Sequence, residues 1–323
     1  MADLFEIGKS GVQSYRRALG VTGQNIANAN TEGYNRRDAQ LAEVSATQGD
    51  ILSVSDQAGL GVRVENIRRA FDDLIVAKTN TANSSFENAR AANEKLQSIE
   101  RILLPGDYSV ASYLQNFFDG LNAVHQAPTD LGARQLVIEY GELLADGVVS
   151  LAGGLANLKN ELRTEAASVA EMVNVTVSGL LEVQKKLISS GGSGAASNSL
   201  LDQRDLLIQE LSGYVGISTL YGERGAVNIS LGPNNGKEKL LDLFDTQQLV
   251  IDDTKSELGY ALLKGSAVSS TTQVTNGYLA GLSKASDAID ETLKQLDNLT
   301  QKLIQDFNDI HRNGLTLLSL IQI

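Results

Sequence analysis

The chain has 323 residues, 42% of them hydrophobic but only 5% aromatic, with 30 Gly, no Trp and no Cys. Its net charge of -12, from 39 acidic against 27 basic residues, argues against nucleic acid as a partner, because that binding needs clustered cations. The absence of Cys excludes disulfides, thiolate metal sites and a Cys nucleophile, and the length predicts more than one compact unit.

The N-terminus carries two acids, Asp3 and Glu6, before its first cation, Lys9, and no continuous apolar run follows, so a cleaved secretory signal is not expected. No apolar stretch is read as long enough to span a bilayer, and no membrane insertion is expected. Residues 3–29 read as a helix with a heptad seam: Phe5, Val12, Leu19 and Ile26 lie seven apart, and Gly8, Tyr15, Thr22 and Ala29 follow each by three. Such a seam calls for a partner helix, as in a coiled coil. Gly8, Gly11, Gly20 and Gly23 weaken the helix by about 0.5–1 kcal/mol each, so packing has to supply its order.

The stretch Asn28-Ala-Asn-Thr-Glu-Gly-Tyr34 ends this helix. Residues 36–56 look polar and irregular, and 59–67 resemble a short strand. A second helical stretch is expected over 68–104, with Phe86, Ala89, Leu96, Ile99 and Leu103 at helical spacing, ended by Pro105-Gly106. A helix over 109–124 follows, and after Pro128 either Thr129 or Asp130 can cap the next. From Gly132 to Ser189 one apolar stripe runs through Leu136, Tyr140, Leu143, Gly147, Leu151, Leu155, Leu162, Val173, Leu180 and Leu187. Unbroken, it is roughly 85 Å long and needs lateral neighbours.

Ser189 to Gly194 has linker composition, and 200–211 returns to helix. The period then changes to two at Val227, Ile229 and Leu231, with turn residues on either side, so a small antiparallel sheet is expected over about 215–276. The last segment carries Leu282, Ile289, Leu296, Leu303 and Ile310 seven apart, a second heptad stripe for bundle packing. The fold class is therefore mainly α: an elongated helical bundle with heptad terminal helices and a small antiparallel β subdomain. The expected divisions are 1–35, 36–67, 68–213, 214–277 and 278–323.

Catalytic machinery is not in evidence. His125 and His311 stand on helical segments without metal-ligand spacing, and the glycines near Gly191 to Gly194 suit a linker better than a phosphate loop. The carboxylate pairs Asp72-Asp73 and Asp252-Asp253 are common by chance in so acidic a chain. No catalytic, cofactor-binding or metal residue is assigned, and no enzyme activity is expected. Tyr34 reads equally as an exposed interface anchor or as a side chain folded back on its own helix end.

The string Asn25-Ile-Ala-Asn-Ala-Asn-Thr-Glu-Gly-Tyr34, with Gly8-Lys-Ser-Gly11 before it and Gly61-Val-Arg-Val64 and Ile67-Arg-Arg69 after it, resembles the N-terminal signature of the flagellar axial proteins: rod, hook and hook-associated subunits. Phe117-Phe-Asp-Gly-Leu121, Ala133-Arg-Gln135, Leu201-Asp-Gln-Arg-Asp205, Gly277-Tyr-Leu-Ala-Gly281 and Phe307-Asn308 with His311 narrow the resemblance to hook-associated subunits of the hook–filament junction. The resemblance implies a structural subunit that stacks in a helical ring, with neighbours such as the hook protein and hook-associated protein 3, exported through the flagellar type III apparatus without signal cleavage. An export chaperone belongs with the family's C-terminal part.

It further implies an axial packing surface of Phe5, Val12, Leu19 and Ile26 with Asn25, Asn28, Asn30, Gly33 and Tyr34. Family members continue beyond the region of Phe307 to Gly314 into an outer domain and a terminal helix that pairs with the first one. That partner helix is expected from outside this sequence, by a longer form or another chain. A rod-type protein with wall-degrading activity and a secreted coiled-coil adhesin are the competing readings.

Overall fold

The structure is a computed structural model that describes residues 4–44, 61–104, 106, 109–191, 195–233, 238–255 and 257–313. The described elements are α1 (Leu4–Ala27), β1 (Arg37–Glu43), β2 (Val62–Arg69), α2 (Asp73–Leu103), α3 (Val110–Gln126), α4 (Leu131–Ser189), α5 (Ala195–Tyr214), β3 (Ile217–Tyr221), β4 (Val227–Leu231), β5 (Lys239–Asp242), β6 (Asp245–Thr246), β7 (Gln248–Asp252), β8 (Gly259–Lys264), β9 (Ala267–Thr272) and α6 (Tyr278–Asn313). The fold is thus mainly α with small antiparallel β elements, as the periodicities imply. Segments 45–60, 192–194, 234–237 and 314–323 lie outside the described residues, and with them the reading of Gly59-Leu60, the linker glycines, the turn after Pro233 and the last ten residues.

Two compact units divide the chain. The first comprises Met1–Ser85, Glu171–Leu249 and Leu262–Ser270; the second comprises Phe86–Ala170, Val250–Ala261 and Thr271–Ile323.

In the first unit, β1 and β2 pair antiparallel with a register shift at Gln40/Leu41. The sequence reads 36–56 as irregular; instead 37–43 is a strand, and β2 runs to Arg69, which moves the start of α2 from 68 to Asp73. Strand β1 has little alternation of its own, and its order comes from pairing with a segment some twenty residues away. Strands β3 to β6 form a four-stranded sheet in chain order. Val227, Ile229 and Leu231 are buried on β4, opposite Tyr221, Thr219 and Ile217.

Val173, Val177, Leu180, Val183 and Leu187 of α4 and Ile208 and Leu211 of α5 are buried in this unit. Two amide side chains tie α4 to strand backbone. Asn174 donates to Leu249 O at 2.9 Å and accepts from Leu249 N at 2.8 Å. The fully buried Gln184 accepts from Val227 N at 2.8 Å and donates to Leu243 O. Each satisfies backbone groups that strand pairing leaves open, which is what makes a buried amide tolerable. The second sheet, in order β7-β8-β9, means that 215–276 folds as two small sheets rather than the one expected.

In the second unit, α3 and α4 form a helical hairpin. Ser109 caps α3 by accepting from Ser112 N at 3.2 Å, and Asp130 caps α4 by accepting from Gly132 N at 2.8 Å. Rings from each helix lie on glycines of the other: Tyr113 on Gly147, Phe117 on Gly141 and Tyr140 on Gly120. A Cβ at Gly147 would stand 2.5 Å from the Tyr113 ring. Helix α4 also contains an 18-residue window of mean hydropathy 1.3, 44% of it buried, so by length and composition it meets a membrane-span test that the sequence reading does not register; core helices meet it too.

The α4 stripe is buried at Leu155, Leu158, Leu162, Ala166 and Val169, whereas Leu136 and Leu143 near its start are exposed and Leu144 is buried in their place. On α6, Leu282, Ile289 and Leu296 are buried. Leu303 lines an apolar groove of about 350 Å³ with Leu114, Phe117, Leu144, Val148 and Phe307. Ile310, the last residue of the expected packing stripe, is 74% exposed.

Helices α2 and α6 approach closely at Gly281, where a Cβ would come within 2.6 Å of both Ala91 Cβ and Asn88 O. The Gly277-Tyr-Leu-Ala-Gly281 string is therefore a helix-crossing motif. We expect Gly281→Val to destabilise the chain by about 1–3 kcal/mol through overpacking, read as a lowered midpoint in urea unfolding, with Gly153→Ala, at a glycine with open space around it, leaving the midpoint unchanged or raised.

Around Glu165, Lys95 contributes an ion pair at 2.6 Å and Tyr278 a hydroxyl hydrogen bond. Burial alone would raise this carboxyl, but the Lys95 and Tyr278 bonds outweigh it and hold the carboxyl below its usual 4.5. A carboxylate held down in the folded state contributes stability above that value and loses it as pH falls. The unfolding free energy of Glu165→Gln is accordingly expected to fall less steeply than that of the parent chain between about pH 5 and pH 3, measured by denaturant titration at each pH.

Candidate assembly surface

Helix α1 is inverted relative to an ordinary surface helix. Its seam residues Phe5, Val12, Leu19 and Ile26 are 72%, 64%, 70% and 73% exposed, while Ser14 and Val21 are its buried residues. At 100° per residue the seam lies roughly 120–180° around the helix from Ser14. Ser14 faces the hairpin and donates to Val62 O at 2.9 Å, and Ser10 accepts from Val62 N at 3.2 Å. Short hydroxyls let strand β2 approach the helix backbone, which leaves the aliphatic side turned to solvent. Tyr15 is also exposed, at 62%, so the second row of the heptad pattern shares that face.

The Asn25–Tyr34 string works inside the molecule. Asn25 donates to Arg37 O at 2.7 Å and accepts from Arg37 N at 2.9 Å and from the Tyr34 hydroxyl at 2.8 Å. One amide thereby fixes the helix end, the turn and the first residue of β1. Tyr34 is folded back on its own helix end, with the Arg37 guanidinium 5.0 Å from its ring centre. Asn28 donates to Gln24 O at 2.9 Å and accepts from Thr31 at 3.2 Å. Gly33 has φ +75° and faces Leu206 of α5, a backbone that disfavours any side chain. Asn30 is exposed. Of the nine interface candidates, then, the four seam residues share one open face, whereas Asn25, Asn28, Gly33 and Tyr34 build the turn that holds it.

Sequence reasoning does not find the charged cluster behind this turn. Asp202 and Asp205 of α5 hold three arginines with side chains 4–11% exposed. Arg37 reaches Asp202 at 3.0 Å and Arg69 reaches it at 2.9 Å. Arg69 also binds Asp205, and Arg204 reaches Asp205 at 2.6 Å and Gly225 O at 2.9 Å. The rings of Phe71 and Tyr221, edge to face at 5.5 Å, cover it, with Arg204 4.8 Å from Tyr221 and Arg69 5.2 Å from Phe71. Burial, with the nearby Asp205 charge, raises the Tyr221 phenol. The usable signal was Leu201-Asp-Gln-Arg-Asp205 itself, three charges set between the apolar pairs Leu200-Leu201 and Leu206-Leu207.

The carboxylate pairs have local structural duties. Asp72 accepts from Leu74 N at 3.0 Å and Ile75 N at 3.1 Å at the start of α2. Asp252 accepts from Thr254 N at 3.1 Å, and Asp253 pairs with Arg163 at 2.7 Å. The His311 ring stacks on Phe307 at 6.1 Å. Among the described residues no group of three or more His, Cys, Asp or Glu could hold a metal ion.

The family described as "Flagellar hook-associated protein FlgK helical domain" matches residues 96–319, and that described as "Flagella basal body rod protein" matches residues 5–35. Flagellar hook-associated protein 1 of Bacillus subtilis is 26% identical over 96% of this chain and 67% of its own length. The proteins of that name from Escherichia coli and Salmonella typhimurium are 24% and 25% identical over 97% of this chain. Of those two the chain spans 58% and 57% of their length. The flagellar hook junction protein FlgK from Burkholderia pseudomallei superposes with a TM-score of 0.54 at 21% identity over 65% of this chain and 38% of that one, a likeness of fold. On the match that runs from 96 to 319, the chain belongs to the flagellar hook-associated protein 1 (FlgK) family.

Proposed function

We propose that this chain is a structural subunit of the bacterial flagellum at the hook–filament junction, that the exposed seam of α1 is its axial packing surface, and that it acts without catalysis. The observation that carries the reading is the inverted helix: a 24-residue helix that buries Ser14 and exposes Val12, Leu19 and Ile26 loses free energy in water and regains it against another helix. With aliphatic side chains contributing on the order of 1.5–3 kcal/mol each when fully buried, three such residues suffice to order a glycine-rich helix on contact. A subunit that meets its neighbours through such a surface builds a ring or helical stack when the contact is head to tail.

The hook protein and hook-associated protein 3 are the neighbours that this reading implies, with export through the flagellar type III route without a cleaved signal and an export chaperone bound to the longer form. The wall-degrading alternative finds no support at Asp72-Asp73, whose first carboxylate caps α2. The Asn25–Tyr34 network gives an adhesin no function.

Leu19→Asp with Ile26→Asp, placed in the chromosomal gene of the source organism, is expected to leave purified protein with unchanged helical circular dichroism and to abolish incorporation into flagella and swimming. Normal swimming by that strain would overturn the seam as the packing surface.

A further inference from the structure

We infer that the ionic cluster on α5 is a latch: it orients a self-contained module, α1 with the β1–β2 hairpin, and its opening frees that module without unfolding the rest of its unit. The module is internally bonded, through Ser14 to Val62 O, Ser10 to Val62 N, and Asn25 to Arg37 and Tyr34. Hydrogen bonds and ion pairs from the two turns Asn198 to Asp205 join it to α5. Asn198 donates to Ile67 O at 2.9 Å, Asn35 donates to Asp202 at 3.1 Å, and Arg37 and Arg69 complete the set. The apolar contacts at this junction are Leu206 against Gly33 and the Phe71 and Tyr221 rings over the cluster.

A junction of this kind behaves differently from a hydrophobic one. Charges removed from water gain little net stability even when well paired, yet removing one partner leaves the other buried and uncompensated. Directional bonds fix an angle, which an apolar patch does not. Three guanidinium groups on two carboxylates also leave one positive charge in excess, so loss of either aspartate is expected to act on the whole cluster. The sequence leads from β2 through Ala70-Phe71-Asp72 into α2, so the module stays tethered to α2 when the cluster opens. The seam of α1 would then point in a fixed direction only while Asp202 and Asp205 keep their arginines. This property belongs to the isolated chain and is independent of what the seam contacts.

The test is amide hydrogen exchange on the whole chain, read by peptide mass spectrometry, comparing the parent with Asp202→Asn plus Asp205→Asn. Exchange over 4–43 and 62–69 is expected to rise at least ~10-fold while α5 and β3 to β5 keep their protection. Unchanged exchange over 4–43 and 62–69 would overturn the latch. An equal rise over 198–231 would overturn it too, because the cluster would then be ordinary core. Ile208→Ala, at a fully buried α5 position, supplies the pattern of general loosening, in which both regions rise together.

Discussion

Two carboxylates on one turn of α5 bind arginines that arrive from β1, from β2 and from α5 itself. Much of the first unit is arranged around the need to keep those charges paired once they leave water. The hairpin has to present Arg37 and Arg69 on the same side, which the antiparallel register achieves by placing the two opposite each other. Asn25 has to hold the backbone of Arg37, and Gly33 has to let the turn pass Leu206. Phe71 and Tyr221 roof the cluster and lower the local dielectric, which strengthens the pairing and raises the penalty for a missing partner.

This constraint also explains the orientation of α1. The hairpin needs a helix that can lie close, and small residues at Ser10, Ser14 and Ala18 allow it where leucines would hold it off. The seam residues Phe5, Val12, Leu19 and Ile26 take the opposite side. In the second unit the same logic appears in apolar form, with rings seated on Gly120, Gly141 and Gly147 in the α3–α4 hairpin and Ala91 against Gly281 between α2 and α6. Close approach of backbones, rather than large side chains, sets the packing in a chain with 5% aromatic residues.

What the sequence made legible was local. The helices over 4–27, 110–126, 131–189 and 278–313 follow from apolar spacing, and the period change at Val227, Ile229 and Leu231 marks β4. Strand β1 was not legible because its residues acquire a pattern only opposite β2. The cluster was not legible because Arg37, Arg69 and Asp202 are separated by 32 and by 133 residues in the chain, and no periodicity links them. Ile310 shows the converse: a heptad continues in the sequence to a residue that is exposed. The Asn25–Tyr34 string pointed to the right family, yet four of its residues serve the turn instead of the open face.

The inverted helix also determines how this protein behaves as a solute. On the proposal that the α1 seam packs against another copy, every measured stability becomes a property of concentration as well as of sequence, because association draws the folded state forward by mass action. Unfolding midpoints taken at two dilutions then describe two different equilibria. For such a chain the monomer is a boundary condition, approached at infinite dilution.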